Sequence, residues 1–141
     1  MAVESSADAT WEGDLAGGRG TVRPASGAFP DLSLTWHQRA ETRDSGTSPE
    51  ELLAAAHAGC FAMQLSLGLS TAGHPPERLE TSARVAFQAP EGITGIRLSV
   101  TGRVPGIDAA AFAAAVEDAR ANCPVSRALA AVPISVDATL Q

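Results

Sequence analysis

The two cysteines are the residues of this sequence with the most distinctive chemistry. Cys60 lies in an apolar run, with His57 three residues before it, and Cys123 lies directly before Pro124. Because the thiolate is the reactive form of cysteine, an apolar setting should raise the pKa of Cys60 and leave it inert unless a cation faces it. Pro124 suits the first position of a helix, where backbone N–H groups favour a thiolate on Cys123. Local physics alone therefore favours Cys123 as the nucleophile and Cys60 as a small residue of the core.

The two thiols lie on separate predicted elements, which limits how they could pair. In a reducing compartment, a bond between them would be transient and catalytic, not structural. His57 shares a helix face with Cys60, and it fits either a base or a hydrogen-bonded core residue. A zinc site would need both cysteines and two of the three histidines, but no Cys-x-x-Cys or His-x-x-x-His spacing occurs. We expect no metal and no cofactor.

Composition argues against two classes of partner. The 141 residues carry a net charge of -6, and the ten basic residues, all arginine, form no basic stripe. Nucleic acid is therefore not expected as a partner. No unbroken apolar run reaches the length of about 18 residues that a membrane helix needs, and no basic segment followed by an apolar one opens the chain. We expect no membrane insertion and a cytoplasmic location.

A long helix organises the predicted fold. Pro49 suits its first position, Glu50 and Glu51 suit the positive end of its dipole, and the apolar run continues to Ala72. A helix that is apolar nearly all round should be buried, and one thin sheet cannot cover it. We therefore expect a second copy of the chain to cover the rest, in an obligate homodimer.

Alternation of apolar residues and turn signals predict the remaining elements. They are, in chain order, a hairpin over Trp11–Arg23, a strand over Leu32–Arg39, strands over Leu79–Gln88 and Ile93–Val104, a helix over Ala109–Ala121 capped by Asp108, a short helix that begins at Pro124, and a last strand over Val132–Ala138. Residues 1–10 are small and polar and should be disordered or loosely held. This order predicts a single α+β domain over residues 1–141.

Several motifs together resemble the OsmC/Ohr family of thiol-dependent peroxidases. They are Gly-Thr-Ser-Pro-Glu-Glu-Leu-Leu-Ala-Ala-Ala-His-Ala-Gly-Cys-Phe at 46–61, Asn-Cys-Pro-Val-Ser at 122–126, Trp-Glu-Gly-Asp at 11–14, Gly-Thr-Val at 20–22 and Val-Pro-Gly-Ile-Asp at 104–108. The last three are similar to the OsmC-like branch, that of osmotically inducible protein C. The likeness extends from about Trp11 to Leu140, and it includes both cysteines.

The resemblance implies an intertwined α+β homodimer, with an antiparallel sheet and a long central helix. It also implies an enzyme, a cysteine-based peroxidase that reduces organic hydroperoxides to alcohols and protects against oxidative stress. Cys60 matches the attacking cysteine and Cys123 the resolving one, which reverses the order that local physics favours. Glu50 matches the active-site glutamate. Arg39 fits the arginine position of the OsmC branch, and Arg19 occupies the turn that supplies the arginine in the Ohr branch.

The implied partners are an organic hydroperoxide and a dithiol reductant, such as a lipoyl-bearing protein. Thiolate attack on the peroxide would leave a sulfenic acid on Cys60, and Cys123 would condense with it to a disulfide that the dithiol reopens.

Glu50 and Cys60 are ten residues apart on one predicted helix, so a straight helix separates them by about 15 Å. Glu50 could then reach the Cys60 of a second subunit instead, in a site shared across the dimer.

Two other functions use the same residues. A thiol-based redox sensor or disulfide-exchange module would carry both cysteines without fast peroxide turnover, and it differs from a peroxidase in rate alone. A binding module on the same fold, with incidental cysteines, is the other alternative. Two cysteines in two matching motifs favour the peroxidase over the binding module.

Overall fold

The computed structural model describes residues 1–141, and the chain divides into two compact units, Met1–Glu50 and Glu51–Gln141. The single α+β domain over residues 1–141 stays a prediction. The mixture of helices and strands agrees with the predicted α+β class. The elements are β1 (Ala7–Glu12), β2 (Arg19–Pro24), β3 (Leu32–Leu34), α1 (Trp36–Ala40), α2 (Pro49–Thr71), β4 (Arg78–Gln88), β5 (Gly92–Arg103), α3 (Ala109–Asn122), α4 (Pro124–Ala128) and β6 (Ile134–Leu140).

The first unit is built on a three-stranded antiparallel sheet in the order β1-β2-β3. Its predicted first hairpin is present, but β1 already begins at Ala7, opposite Pro24. The expectation that residues 1–10 are loosely held is therefore wrong for residues 7–10. Every side chain of β1 is exposed, so backbone pairing holds this strand and no alternation of apolar residues marks it in the sequence.

The predicted third strand, Leu32–Arg39, is wrong beyond Leu34, because the chain turns into α1. Thr35 is the N-cap of that helix, and its hydroxyl oxygen accepts a hydrogen bond from the backbone N–H of Gln38 at 3.1 Å. A threonine followed three residues later by glutamine is the sequence signature of this kind of cap. As a result, Arg39 belongs to a helix and not to a strand.

The long helix α2 runs from Pro49 to Thr71, over 23 residues, and so ends one residue before the predicted end. Within the first unit, the N–H of Thr47 donates to the carbonyl of Ser33 at 2.9 Å, beside Gly46. Gly46 has a φ of +70°, and a Cβ there would lie 2.7 Å from the Ser33 oxygen. This turn needs glycine, and it fixes the start of α2 against β3.

The second unit contains a three-stranded sheet in the order β4-β5-β6. Strands β4 and β5 pair antiparallel, whereas β5 and β6 pair parallel, from Ile96 opposite Ile134 to Gly102 opposite Leu140. The predicted antiparallel sheet is therefore wrong for its last strand. The cause is the crossover through α3 and α4, which returns the chain to the end of the sheet where β5 began.

A single core joins α2, β5 and α3 in the second unit. Its fully buried side chains are Phe61, Leu65 and Leu69 of α2, Ile96, Leu98 and Val100 of β5, Phe112, Val116 and Ala119 of α3, and Cys123. The opposite side of α2 is apolar but exposed, with Met63 at 76 % and Leu67 at 61 % exposure. By length and composition alone, α2 is long and apolar enough to cross a membrane. The core helix of a soluble protein meets the same criterion.

We expect Gly102→Ala to destabilise the second unit. A Cβ at this buried position would lie 2.6 Å from Cζ and 2.9 Å from Cε2 of Phe112, whose ring fills the core. The ring must move, which should lower the free energy of unfolding by about 1–3 kcal/mol. Gly95→Ala, on the same strand, is the matched control, because its Cβ would make an ordinary contact of 3.6 Å with the Pro133 oxygen. Urea denaturation of both variants checks this, and equal unfolding midpoints would contradict it.

Candidate functional site

Arg39 and Glu50 form a bidentate ion pair in the first unit. The Arg39 Nε donates to Glu50 Oε1 at 3.0 Å and to Oε2 at 3.3 Å, and Nη2 donates to Oε1 at 2.8 Å. Glu50 is 2 % exposed, whereas the Arg39 side chain is 36 % exposed. A buried carboxylate held by several hydrogen bonds fixes the guanidinium plane and leaves part of it facing outward.

Gln38 braces the loop that brings Arg39 to Glu50. Its side chain is buried, and its Nε2 donates to Asp44 Oδ1 and to Ser45 Oγ, each at 2.7 Å. The guanidinium of Arg43 also donates to the Gln38 carbonyl. The hydrogen bond from Gln38 lowers the pKa of Asp44. These contacts tie both ends of the connection from α1 to α2, so that Arg39 and Glu50 keep their geometry.

Arg39 also lines an apolar cleft of about 290 Å³ in the first unit. Two tryptophans, Trp11 and Trp36, and two leucines, Leu15 and Leu34, form most of its wall, and Thr35 and Pro49 complete it. No single stretch of the sequence marks this cleft, because its members come from β1, the turn after it, β3 and α1. An apolar wall beside a fixed guanidinium can hold a molecule with a hydrocarbon body and a polar oxygen.

Arg19, the second candidate arginine, lies elsewhere. It begins β2, where it is exposed and pairs in register with Glu12. It lines a shallow cleft with Thr10, Thr21 and Ser33. Of the two candidates, only Arg39 hydrogen-bonds Glu50 in the structure.

Cys60 and Cys123 come together in the second unit. Both are free thiols, and Cys60 packs against the buried core to which Cys123 belongs. Cys60 is half-buried in the middle of α2, while Cys123 is completely buried between α3 and α4. It caps the end of α3 and the start of α4, as Pro124 predicts. The more accessible thiol is therefore Cys60, contrary to the order that local physics alone favours.

Three interactions set the protonation of Cys60. Burial raises the pKa of the Cys60 thiol, as the apolar sequence around it predicts, and its hydrogen bond to Cys123 raises the pKa further. The backbone N–H of Val125, in α4, donates to the sulfur and lowers the pKa. None of these contributions comes from a cation. Within the second unit, Cys60 is thus placed to react with Cys123 but is held mainly as a thiol.

His57 is a hydrogen-bonded core residue, one of the two roles that its spacing left open. It is completely buried, and its Nε2 lies 2.7 Å from the hydroxyl of Ser126, in α4. Its Nδ1 is buried without a hydrogen-bond partner. Burial lowers the pKa of His57. No local sequence signal predicts a role for Ser126, which lies three residues after Cys123, just as His57 lies three residues before Cys60.

Clusters of three or more histidine, cysteine, aspartate or glutamate side chains that could hold a metal ion do not occur in the chain. The candidate chemistry therefore rests on two groups, the cysteine pair and the Arg39–Glu50 pair. The first can form a disulfide, and the second can bind an oxygen that carries negative charge.

Comparisons with known proteins identify the family of the chain. The family described as OsmC-like protein matches residues 42–137. The chain is 42 % identical over 134 residues to peroxiredoxin OsmC of Escherichia coli (strain K12), covering 93 % of each chain. It is 33 % identical over 113 residues to organic hydroperoxide resistance protein OhrA of Bacillus subtilis (strain 168), covering 79 % of this chain and 77 % of OhrA.

The fold itself is similar to that of a solved structure. The OsmC-like protein from Mycoplasma pneumoniae superposes with a TM-score of 0.73 at 17 % identity, covering 99 % of each chain. Identity that low supports the fold alone, whereas the sequence matches cover most of this chain. The chain therefore belongs to the OsmC/Ohr family.

Proposed function

We propose that this protein is a cysteine-based peroxidase that reduces organic hydroperoxides to alcohols. The observation that carries the proposal is that the free thiol of Cys60 packs against the buried core that contains the free thiol of Cys123. The relatives named peroxiredoxin and organic hydroperoxide resistance protein support the same activity. A half-exposed thiol beside a buried one suits attack by the first and resolution by the second.

In the first step, the Cys60 thiolate attacks one oxygen of the hydroperoxide, and the O–O bond breaks. The sulfur is oxidised to a sulfenic acid, and the leaving alkoxide takes a proton and departs as the alcohol. Arg39 binds the peroxide oxygen and stabilises the charge that develops on it. Glu50 acts as a positioning residue, since its bidentate contact fixes the Arg39 guanidinium.

In the second step, the Cys123 sulfur attacks the sulfenic sulfur of Cys60. A disulfide forms, and the sulfenic oxygen leaves as water with the protons of the two groups. An external dithiol then reduces the disulfide by exchange and is itself oxidised to a disulfide. A lipoyl-bearing protein could supply this dithiol, and we place the cycle in the cytoplasm, where free dithiols are maintained.

The apolar cleft beside Arg39 supports an organic substrate over hydrogen peroxide. Its tryptophan and leucine walls can bury a hydrocarbon group, at about 25 cal/mol per Å² of apolar surface removed from water. Hydrogen peroxide has no such group.

We further propose a homodimer in which each site is shared. The exposed apolar side of α2, with Met63 and Leu67, supports burial against a second copy. Burial raises the pKa of Cys60, so a cation from the second copy would favour its thiolate. The Arg39–Glu50 pair of one subunit would then face the two cysteines of the other, which agrees with the ten-residue separation of Glu50 and Cys60 along α2.

The first prediction concerns the reaction itself. We expect cumene hydroperoxide to oxidise the reduced protein about 10- to 100-fold faster than hydrogen peroxide does, because the cleft binds its hydrocarbon group. Stopped-flow measurement followed by mass spectrometry should identify a Cys60–Cys123 disulfide. Cys60→Ser should abolish the reaction, and Cys123→Ser should stop it at a sulfenic acid that dimedone traps. Slow oxidation by both peroxides, at the rate of an ordinary thiol, would instead favour a redox sensor or disulfide-exchange module.

The second prediction distinguishes the two arginines. Arg39→Gln should lower the rate of Cys60 oxidation by cumene hydroperoxide by about 10²- to 10³-fold, because the developing negative charge loses its donor. Arg19→Gln is the matched variant and should stay within about twofold of the parent protein, as expected for an exposed site. A larger loss in the Arg19 variant would assign the role to Arg19.

The third prediction tests sharing by mixing two inactive proteins, Cys60→Ala and Glu50→Ala. A mixed dimer holds one doubly damaged site and one intact site if each site draws Glu50 and Cys60 from different subunits. Because about half of the dimers are mixed after equilibration, about a quarter of the parent activity should return. Mixing two preparations of Cys60→Ala is the control. If activity does not return although native mass spectrometry detects mixed dimers, the site lies within one chain.

A further inference from the structure

His57 and Ser126 connect the two segments that carry the cysteines. His57 lies in α2, one helical turn before Cys60, and Ser126 lies in α4, three residues after Cys123. Their side chains meet at 2.7 Å, between a fully buried imidazole and a hydroxyl that is 4 % exposed. This hydrogen bond joins α2 to α4 across the interior of the second unit.

Two other polar contacts join the same segments. Cys60 packs against the buried core that includes Cys123, and the Cys123 thiol and the backbone N–H of Val125 both affect the pKa of Cys60, which places them beside its sulfur. All three contacts therefore join residues 57–60 to residues 123–126. The bond from His57 to Ser126 is the only one of the three that lacks a reacting sulfur, so it can persist while the sulfurs change their bonding.

The buried imidazole of His57 lowers the stability of the fold, because one of its nitrogens has no hydrogen-bond partner. Its Nδ1 is buried without a partner, whereas an apolar ring of similar size would leave no polar atom unsatisfied. An unsatisfied buried nitrogen is uncommon in folded proteins and needs a reason. The reason that the contacts offer is the bond on the other side of the ring, to Ser126.

We propose that His57 and Ser126 are positioning residues that hold α4 against α2, so that the Val125 N–H and the Cys123 sulfur both stay aligned on Cys60. This inference concerns the cysteine pair of the proposed function, but it applies to any reaction of that pair. The hydrogen bond between His57 and Ser126 has two effects on Cys60. It keeps the amide hydrogen bond that favours the Cys60 thiolate, and it keeps Cys123 within reach of an oxidised Cys60.

An aromatic disulfide, dithiobis(nitrobenzoate), tests this without a peroxide. The Cys60 thiolate attacks the reagent, forms a mixed disulfide and releases one thionitrobenzoate. Cys123 then attacks the Cys60 sulfur, forms the protein disulfide and releases a second thionitrobenzoate. The two releases report attack by Cys60 and closure by Cys123 separately, so a failure of peroxidase activity leaves this test intact.

Ser126→Ala is the first variant, since it removes one hydroxyl and little volume. We expect the second release to slow by about three- to tenfold, as for the loss of one buried hydrogen bond. Alkylation of Cys60 by iodoacetamide should shift to higher pH, because losing the Val125 N–H bond removes an interaction that lowers the pKa. The maximal alkylation rate, reached when Cys60 is fully ionised, should not change. His57→Phe should act in the same way, and the double variant should be no slower than either single one.

His57→Gln separates positioning from proton transfer. A glutamine amide can donate to the Ser126 hydroxyl or accept from it, as the Nε2 of either imidazole tautomer would, but it does not titrate. Positioning therefore predicts that this variant restores the second release and the alkylation profile, and failure to restore them in a folded protein would overturn the proposal.

Thr81→Val is the matched control. The Thr81 hydroxyl donates to the Ala58 carbonyl of α2 at 3.0 Å, so its loss weakens a bond to the same helix without affecting α4. We expect the rate of the second thionitrobenzoate release and the rate of Cys60 alkylation to stay within about twofold of those of the parent protein. Equal effects of Thr81→Val and Ser126→Ala would show a general loss of stability and would also overturn the proposal.

Discussion

The contact between Cys60 and Cys123 is the interaction on which the candidate chemistry depends, and apolar packing creates it. Phe112, Val116 and Ala119 form the buried side of α3, and the same face continues to Cys123 at the end of that helix. These side chains share one core with Phe61, the residue after Cys60. Burying the face of α3 against this core therefore carries the second thiol to the first. Apolar packing is enough to bring the two cysteine-bearing segments close. Polar contacts between the segments are needed only to align the two sulfurs.

The burial that brings Cys60 and Cys123 together also disfavours the Cys60 thiolate, which is the reactive form. A thiolate is more costly in an apolar environment than a thiol, which is why burial raises the pKa of Cys60. One amide N–H opposes this effect from the start of α4, and a guanidinium would oppose it more strongly. Arg39 is suited to that task, because a buried carboxylate fixes its orientation. The desolvation of Glu50 is offset by these same hydrogen bonds, so the pair holds its geometry without the thiols. The second unit thus holds the two thiols, and the first holds the Arg39–Glu50 pair and the apolar cleft.

The sequence predicted the parts of this structure that local signals determine. Pro49 and Asp108 mark the starts of α2 and α3, because helix caps and first turns act within a few residues. The parallel pairing of β6 was predicted wrongly, because strand direction follows from the crossover and not from alternation within the strand. The relative exposure of the cysteines could not be predicted from their neighbours for a similar reason. Local physics favoured Cys123, but the packing of α3 buries it completely and leaves Cys60 accessible. The attacking and resolving roles rest on the resemblance of the motifs alone, and they stay a prediction.

The position of Cys60 on α2 links the core of the chain to the surface that a second copy would cover. His57 and Phe61 lie on the buried side of the helix, whereas Ala56, Gly59 and Met63 lie on the exposed side. At 100° per residue, Cys60 falls on the boundary between these two sides, and it is half-buried for that reason. A residue deeper in the core could meet Cys123 but no group from outside the chain. A residue on the exposed side could meet a second subunit but not Cys123. At this boundary, one sulfur can lie beside Cys123 of its own chain and, in the proposed dimer, beside a guanidinium of the partner.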